Sequence, residues 1–197
     1  MDDPLVIHDS RPSRADAVKN RELLLQAASR LFAMHGIDEV TMSAVAEEAG
    51  VGKGTLYRHF ANKTELCLAL LDHQQRELQA NTLSQLRQDL PPVEKLLWFL
   101  ENTLSFVVKN LGLMPIGVPG QGLPTLNHAA HLWWRQTIRG LLSQCHLTLI
   151  DLDYATDTLY VMLDPNVVDY QVRVRGLQQD QLWAGLRALL ACITCTA

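Results

Sequence analysis

The sequence predicts an all-α protein with an N-terminal three-helix domain built around a helix–turn–helix and a helical bundle behind it. Three observations carry this expectation. Apolar residues recur at i, i+3, i+4 and i+7 in nearly every segment between breaks. The breaks themselves are glycine and proline sites of the kind that end helices, such as Gly36, Gly50 and Pro91-Pro92. Only one stretch alternates in the manner of a strand, and a lone strand would have no partner.

Residues 1–15 hold Pro4, Ser10, Pro12 and Ser13 without periodicity and read as a flexible arm. Arg11 and Arg14 on that arm could enter a minor groove or stay idle. From about 16 to 35, Leu24, Ala27, Ala28, Leu31 and Phe32 form one helical face, and Gly36 stops it. Thr41 then caps a short helix over 42–49, with Val45, Ala46 and Ala49 inward. Gly50-Val51-Gly52 leads into a second short helix at about 53–60. Asn62 and Glu65 resemble a capping box opening a long helix at about 63–88.

Beyond Pro91-Pro92, a helix is expected over 93–110 with Leu96, Leu97, Leu100, Leu104, Val107 and Val108 inward. The segment "LGLMPIGVPGQGLP", 111–124, is a loop, and helices follow at 125–149 and 151–163. Asp164-Pro165 reads as a cap with proline in the first helical position. The next residues, "VVDYQVRV", alternate like a strand but are assigned to helix for want of a partner strand. A last helix, 178–194, presents Leu182, Trp183, Leu186, Leu189, Leu190 and Ile193.

The 197 residues carry a net charge of −4, which excludes a generically basic nucleic-acid binder. The charge is uneven, however: no acid interrupts residues 49–64. The four cysteines include a C-x-x-C pair, Cys192 and Cys195, without the companions a zinc site needs. They read as small apolar residues of a reducing compartment. The acidic start, Met-Asp-Asp-Pro, does not match a signal peptide, and no apolar run spans a bilayer. The expectation is a soluble cytoplasmic protein without a metal or other cofactor. No nucleophile–base pair stands out, so no enzyme is expected.

"AGVGKGTLYRHFANKTEL", 49–66, is glycine-rich ahead of basic residues and invites a phosphate-loop reading. Its spacing is not G-x-x-x-x-G-K-[ST], and a helix rather than a strand precedes it. The two short helices instead fit a helix–turn–helix whose second helix enters the major groove. On a helical wheel Leu56 and Phe60 point inward. Gly54, Thr55 and Arg58 occupy the opposite arc, and Tyr57 and His59 flank it. Arg58 could read guanine or hold a phosphate, and Thr55 could touch a thymine methyl or a phosphate. Lys63, and Thr41 with Ser43, sit at helix starts suited to phosphates.

The run "TMSAVAEEAGVGKGTLYRHFANKTEL", 41–66, resembles the DNA-binding domain of TetR-family transcriptional regulators. The resemblance extends over about 18–66 and implies DNA contacts by Thr41, Lys53, Thr55, Tyr57, His59 and Lys63. Gly52 departs from it, since serine is frequent there. The implied organisation is an arm at 1–15, a DNA-binding domain at 16–62 and a ligand-binding and dimerisation domain at 63–197.

Candidate DNA-binding residues are therefore Thr41, Ser43, Lys53, Gly54, Thr55, Tyr57, Arg58, His59 and Lys63. Trp98, Asn102, Phe106, His128, His131, Trp134 and Tyr160 are candidates to line a ligand pocket, against the alternative that such aromatics only fill the core. His128 and His131 are spaced i, i+3, but no carboxylate or cysteine beside them completes a metal site. Leu159, Trp183, Leu186, Leu190 and Ile193 are candidates for a dimer interface, which a two-half-site operator requires. The expected function is a ligand-responsive repressor that binds a near-palindromic DNA operator as a homodimer and is released by a small, mostly apolar effector. The alternative is a helical small-molecule-binding or enzymatic protein whose helix–turn–helix does not read DNA.

Overall fold

The computed structural model describes residues 14–114, 129–145, 147 and 150–194, and these are helices and short connections without a strand. Packing divides the chain into two compact units, one ending at Leu70 and the other beginning at Leu71.

In the first unit, helix α1 (Arg14–His35) ends at Gly36, whose φ of +79° is the left-handed conformation that glycine adopts freely. Arg14 thus opens α1, while Arg11 lies outside the described residues. Helix α2 (Met42–Glu48) starts where the Thr41 hydroxyl accepts a hydrogen bond from Ala44 N at 3.1 Å. Such a cap contributes about 1 kcal/mol. Helix α3 (Lys53–His59) follows, and then α4 (Lys63–Leu86). At the start of α4 the Asn62 side chain accepts from Glu65 N, at 2.9 Å. The Glu65 carboxylate reaches back to Ala61 N at 2.7 Å. This is the expected reciprocal cap, displaced by one residue on its return arm. The core of this unit joins Leu24, Leu25, Ala27 and Ala28 of α1 to Val45, Ala46, Leu56 and Phe60, with Leu66 and Leu70 from the first turns of α4.

In the second unit, α5 (Pro92–Asn110) begins with proline in its first turn, where the missing N–H costs nothing. A short 3-10 turn, Leu111–Leu113, ends it. Helices α6 (Ala129–Leu142) and α7 (Leu152–Val161) pack together, and Asp151 caps α7 by accepting from Tyr154 N at 2.9 Å. Asp164 caps α8 (Pro165–Asp169), which runs straight into a π turn, Tyr170–Val174. Helix α9 (Gln179–Thr194) closes the described chain. Leu96, Phe99, Leu100, Leu104, Val107, Trp134, Ile138, Leu142, Leu159, Leu163, Leu186 and Leu190 form one continuous core.

The alternating stretch at 167–174 is helical, as its missing partner strand implied. Val168 alone is buried, whereas Tyr170 and Val174 stand in solvent, so the alternation marks no sheet face. The cysteines differ from expectation in one respect. Cys67 and Cys145 are half-buried, but Cys192 is exposed on α9 rather than packed. Cys195 lies outside the described residues. No helix among the described residues is long and apolar enough to cross a membrane.

Candidate functional site

The connection between α2 and α3 is a tight turn. Gly50 has φ +64°, and Val51 N returns to Ala46 O at 2.9 Å. Gly52 then stands at the N-cap of α3 in an extended conformation, with no side chain to cap the helix. Its carbonyl accepts the first two bonds of α3, from Thr55 N and Leu56 N.

Helix α3 is held from one side only. Leu56 is completely buried and Phe60 nearly so, and the Arg21 guanidinium of α1 lies 5.6 Å from the centre of the Phe60 ring. The other side is open. Lys53, Gly54, Tyr57 and Arg58 are exposed, Tyr57 with 51% of its surface in solvent, while Thr55 and His59 are half-buried on the flanks. Arg58 Nη2 donates to Thr55 Oγ1 at 2.9 Å, so the two side chains act as one group. Lys63 Nζ donates to the backbone carbonyl of Asp38 at 3.1 Å, which ties the start of α4 to the turn before α2. Thr41 is exposed and already committed as a cap, and Ser43 is half-buried in the first turn of α2.

Two of the nearby carboxylates are already engaged. Glu48 is bound by Arg30 at 3.0 Å, and Glu65 by the Ala61 N–H. The result is a convex helix face with cations, a phenol and a bare glycine backbone, a chemistry suited to phosphates and base edges. The Arg58–Thr55 and Lys63–Asp38 bonds were not legible in the sequence, because each depends on how a side chain folds back.

Residues 24–70 match the family described as "Bacterial regulatory proteins, tetR family". The helix–turn–helix domain belongs to the TetR family. The matched TetR segment runs from mid-α1 to the second turn of α4 and so contains the whole helix–turn–helix. An HTH-type transcriptional regulator of Staphylococcus aureus is 34% identical over 104 residues, 51% of this chain and 55% of that protein. A second regulator of the same species is 42% identical over 65 residues, 33% of this chain and 34% of its own. The chain therefore spans about half the length, or less, of the curated relatives it matches. Solved structures share its fold at lower identity. A γ-butyrolactone receptor (ArpA-like protein) superposes with a TM-score of 0.54 at 24% identity, covering 91% of this chain and 98% of its own. The fatty acid degradation regulator FadR from Bacillus halodurans gives 0.62 at 18%, covering 89% and 94%.

In the second unit four of the expected ligand residues meet. The Phe106 and Trp134 rings pack edge-on at 5.7 Å, His131 lies 4.8 Å from Trp134, and His131 Nδ1 is 2.8 Å from the Tyr160 hydroxyl. Burial, reinforced by the charge of Asp164, pushes the Tyr160 hydroxyl well above the usual phenol range. Trp134 Nε1 is buried without a hydrogen-bond partner among the described residues, an expensive arrangement for an indole N–H. Trp98 is half-buried on α5, and the Asn102 amide is spent on the Trp98 carbonyl at 2.8 Å. His128 lies outside the described residues.

The residues expected at a dimer interface divide differently. Leu159, Leu186 and Leu190 are buried in the core of their own chain, because each sits on the inward stripe of α7 or α9. Their own chain covers most of each side chain. Trp183 and Ile193 are half-buried at the margin of the same core. The outer face of α7 presents Tyr154 and Val161 instead.

Proposed function

We propose that this chain is a ligand-responsive, DNA-binding transcriptional regulator that acts as a repressor, working on cytoplasmic duplex DNA. Two copies present their α3 helices to successive major-groove faces of a near-palindromic operator. Lys53, Gly54, Thr55 and Arg58 meet base edges or phosphates. Tyr57, His59, Lys63, Thr41 and Ser43 meet the backbone on either side. A small, mostly apolar effector binds in the second unit and lowers DNA affinity by binding the DNA-incompetent state more tightly.

The carrying observation is the division of α3. Leu56 and Phe60 anchor it inward, and its outer face bears Lys53, Gly54, Tyr57 and Arg58 without a carboxylate. The effector part rests on the Phe106–Trp134–His131–Tyr160 cluster, where apolar rings surround an indole N–H in need of an acceptor. The dimer follows from the symmetry of such operators, with Trp183, Ile193, Tyr154 and Val161 as the surfaces at hand.

Selection from random duplex DNA, followed by titration on the recovered site, tests the reading. Affinity should fall steeply with salt as phosphate contacts release counterions. The double variant Lys53→Ala, Tyr57→Phe should bind the recovered site far more weakly. Unchanged binding by that variant would remove α3 as the recognition helix.

A further inference from the structure

A cavity of about 350 Å³ opens in the second unit between α5, the end of α7, the π turn and α9, and no residue of the aromatic cluster lines it. Its floor is apolar: Leu104 and Leu186 belong to the buried core, and Met162 is half-buried. Its rim carries Gln171 and Arg175. The π turn puts them there. Arg175 N bonds to Tyr170 O at 3.1 Å, and Leu177 N bonds to Gln171 O at 3.0 Å. Gly176, with φ +70°, completes the reversal into α9. Irregular helix turns of this kind are costly and recur at functional positions.

The charges at this turn are asymmetric. Arg173 is matched by Asp169 at 2.7 Å. Arg175 makes no ion pair with any described carboxylate, and a guanidinium stays charged at every accessible pH. A fixed positive charge thus stands at the mouth of an apolar cavity, with an amide beside it. A compact inorganic anion would leave the floor wet, and a neutral apolar molecule would make no use of Arg175 or Gln171. The volume is at the small end of the range for small-molecule sites, about 300–1,000 Å³. Gly185 of α9 also lines the cavity, and a Cβ added there meets nothing within 4 Å.

We propose that this cavity binds a medium-chain amphiphilic carboxylate, with its head on Arg175 and Gln171 and its tail on Leu104, Met162 and Leu186. The site stands independently of the DNA-binding reading and is distinct from the Phe106–Trp134–His131–Tyr160 cluster.

The test is calorimetric titration of the full chain with decanoate and decanol, without DNA. Decanoate should bind at least about tenfold more tightly than decanol. Arg175→Gln, an exposed change, should weaken decanoate about tenfold and leave decanol unaffected. Gly185→Leu should fill the cavity and abolish decanoate binding while the far-UV circular dichroism is kept. Absence of decanoate binding, equal binding of decanol, or full binding by either variant overturns the proposal. So does loss of binding in Trp134→Phe with retention in Arg175→Gln, which would place the ligand in the ring cluster. Should Gly185→Leu fail to fold, Arg175→Gln alone decides. A protein that binds decanoate but not duplex DNA would refute the regulator reading and leave this site intact.

Discussion

Arg58 Nη2 and Thr55 Oγ1 are 2.9 Å apart, one turn along the outer face of α3. The bond holds a long, flexible guanidinium in one orientation before any DNA arrives. Ordering such a side chain otherwise costs up to about 2 kcal/mol on binding. Thr55→Val keeps the shape of the side chain and removes the acceptor. It should weaken binding to the selected site by roughly fivefold, equivalent to about 1 kcal/mol, and relax preference at the base Arg58 faces. Thr55→Ser should restore both. Anisotropy titrations on single-base variants of the site would show whether Val and Ser separate in this way.

Under the proposed function Lys63 has two tasks that can be told apart. An ammonium has three donors, and one is used on the Asp38 carbonyl at 3.1 Å. The others remain for a phosphate. Lys63→Met should therefore lower thermal stability slightly and also reduce the slope of log affinity against log salt by about one. A variant that loses stability but keeps the full slope would make Lys63 a purely structural tie.

Two glycines in one turn should respond with opposite signs. Gly50 has φ +64°, so Gly50→Ala strains the backbone by about 1 kcal/mol, although its Cβ would meet no neighbour within 4 Å. Gly52 is the uncapped N-cap of α3 at φ −62°, a conformation open to any residue. Gly52→Ser supplies the missing hydroxyl and restricts the unfolded chain, for a gain of a few tenths to about 1 kcal/mol. Chemical denaturation of the two variants gives both signs directly. If both lost stability equally, glycine at 52 would be required for a reason other than backbone conformation.

What could be read from the sequence follows from how local each cause is. The caps at Thr41, Asn62 and Asp164 use partners within four residues. The inward pair Leu56 and Phe60 is a helical repeat. These features were legible, and with them the exposed outer face of α3. Residues 165–175 were harder, because a helix that passes into a π turn has no sequence period of its own. The Arg175 cavity depends on that turn and so leaves no periodic signal. For Leu159, Leu186 and Leu190, periodicity shows that a stripe is covered but not by what. Here the same chain covers it.

The contact between α6 and α7 gives a pH-dependent prediction. Arg139 Nε donates to Asp153 Oδ1 at 2.7 Å, and Arg135 approaches the same oxygen at 3.7 Å while also pairing with Asp157. The Arg139 hydrogen bond and these positive charges hold the Asp153 carboxyl below its usual range. A carboxyl with a lower pKa in the folded chain binds its proton more readily when unfolded. Its contribution to stability is therefore present above the unfolded value, near 3.8, and is lost as pH falls through the lower folded value. Arg139→Gln should raise the Asp153 pKa towards that of a free aspartate in an NMR titration. The variant should melt below the parent at neutral pH, and the gap should close in acid. The pair is exposed and screened, so the gap should be small and shrink further in salt. A gap that stayed constant through the acid range would mean that Arg139 acts by packing its stem against α7 rather than through the charge of Asp153.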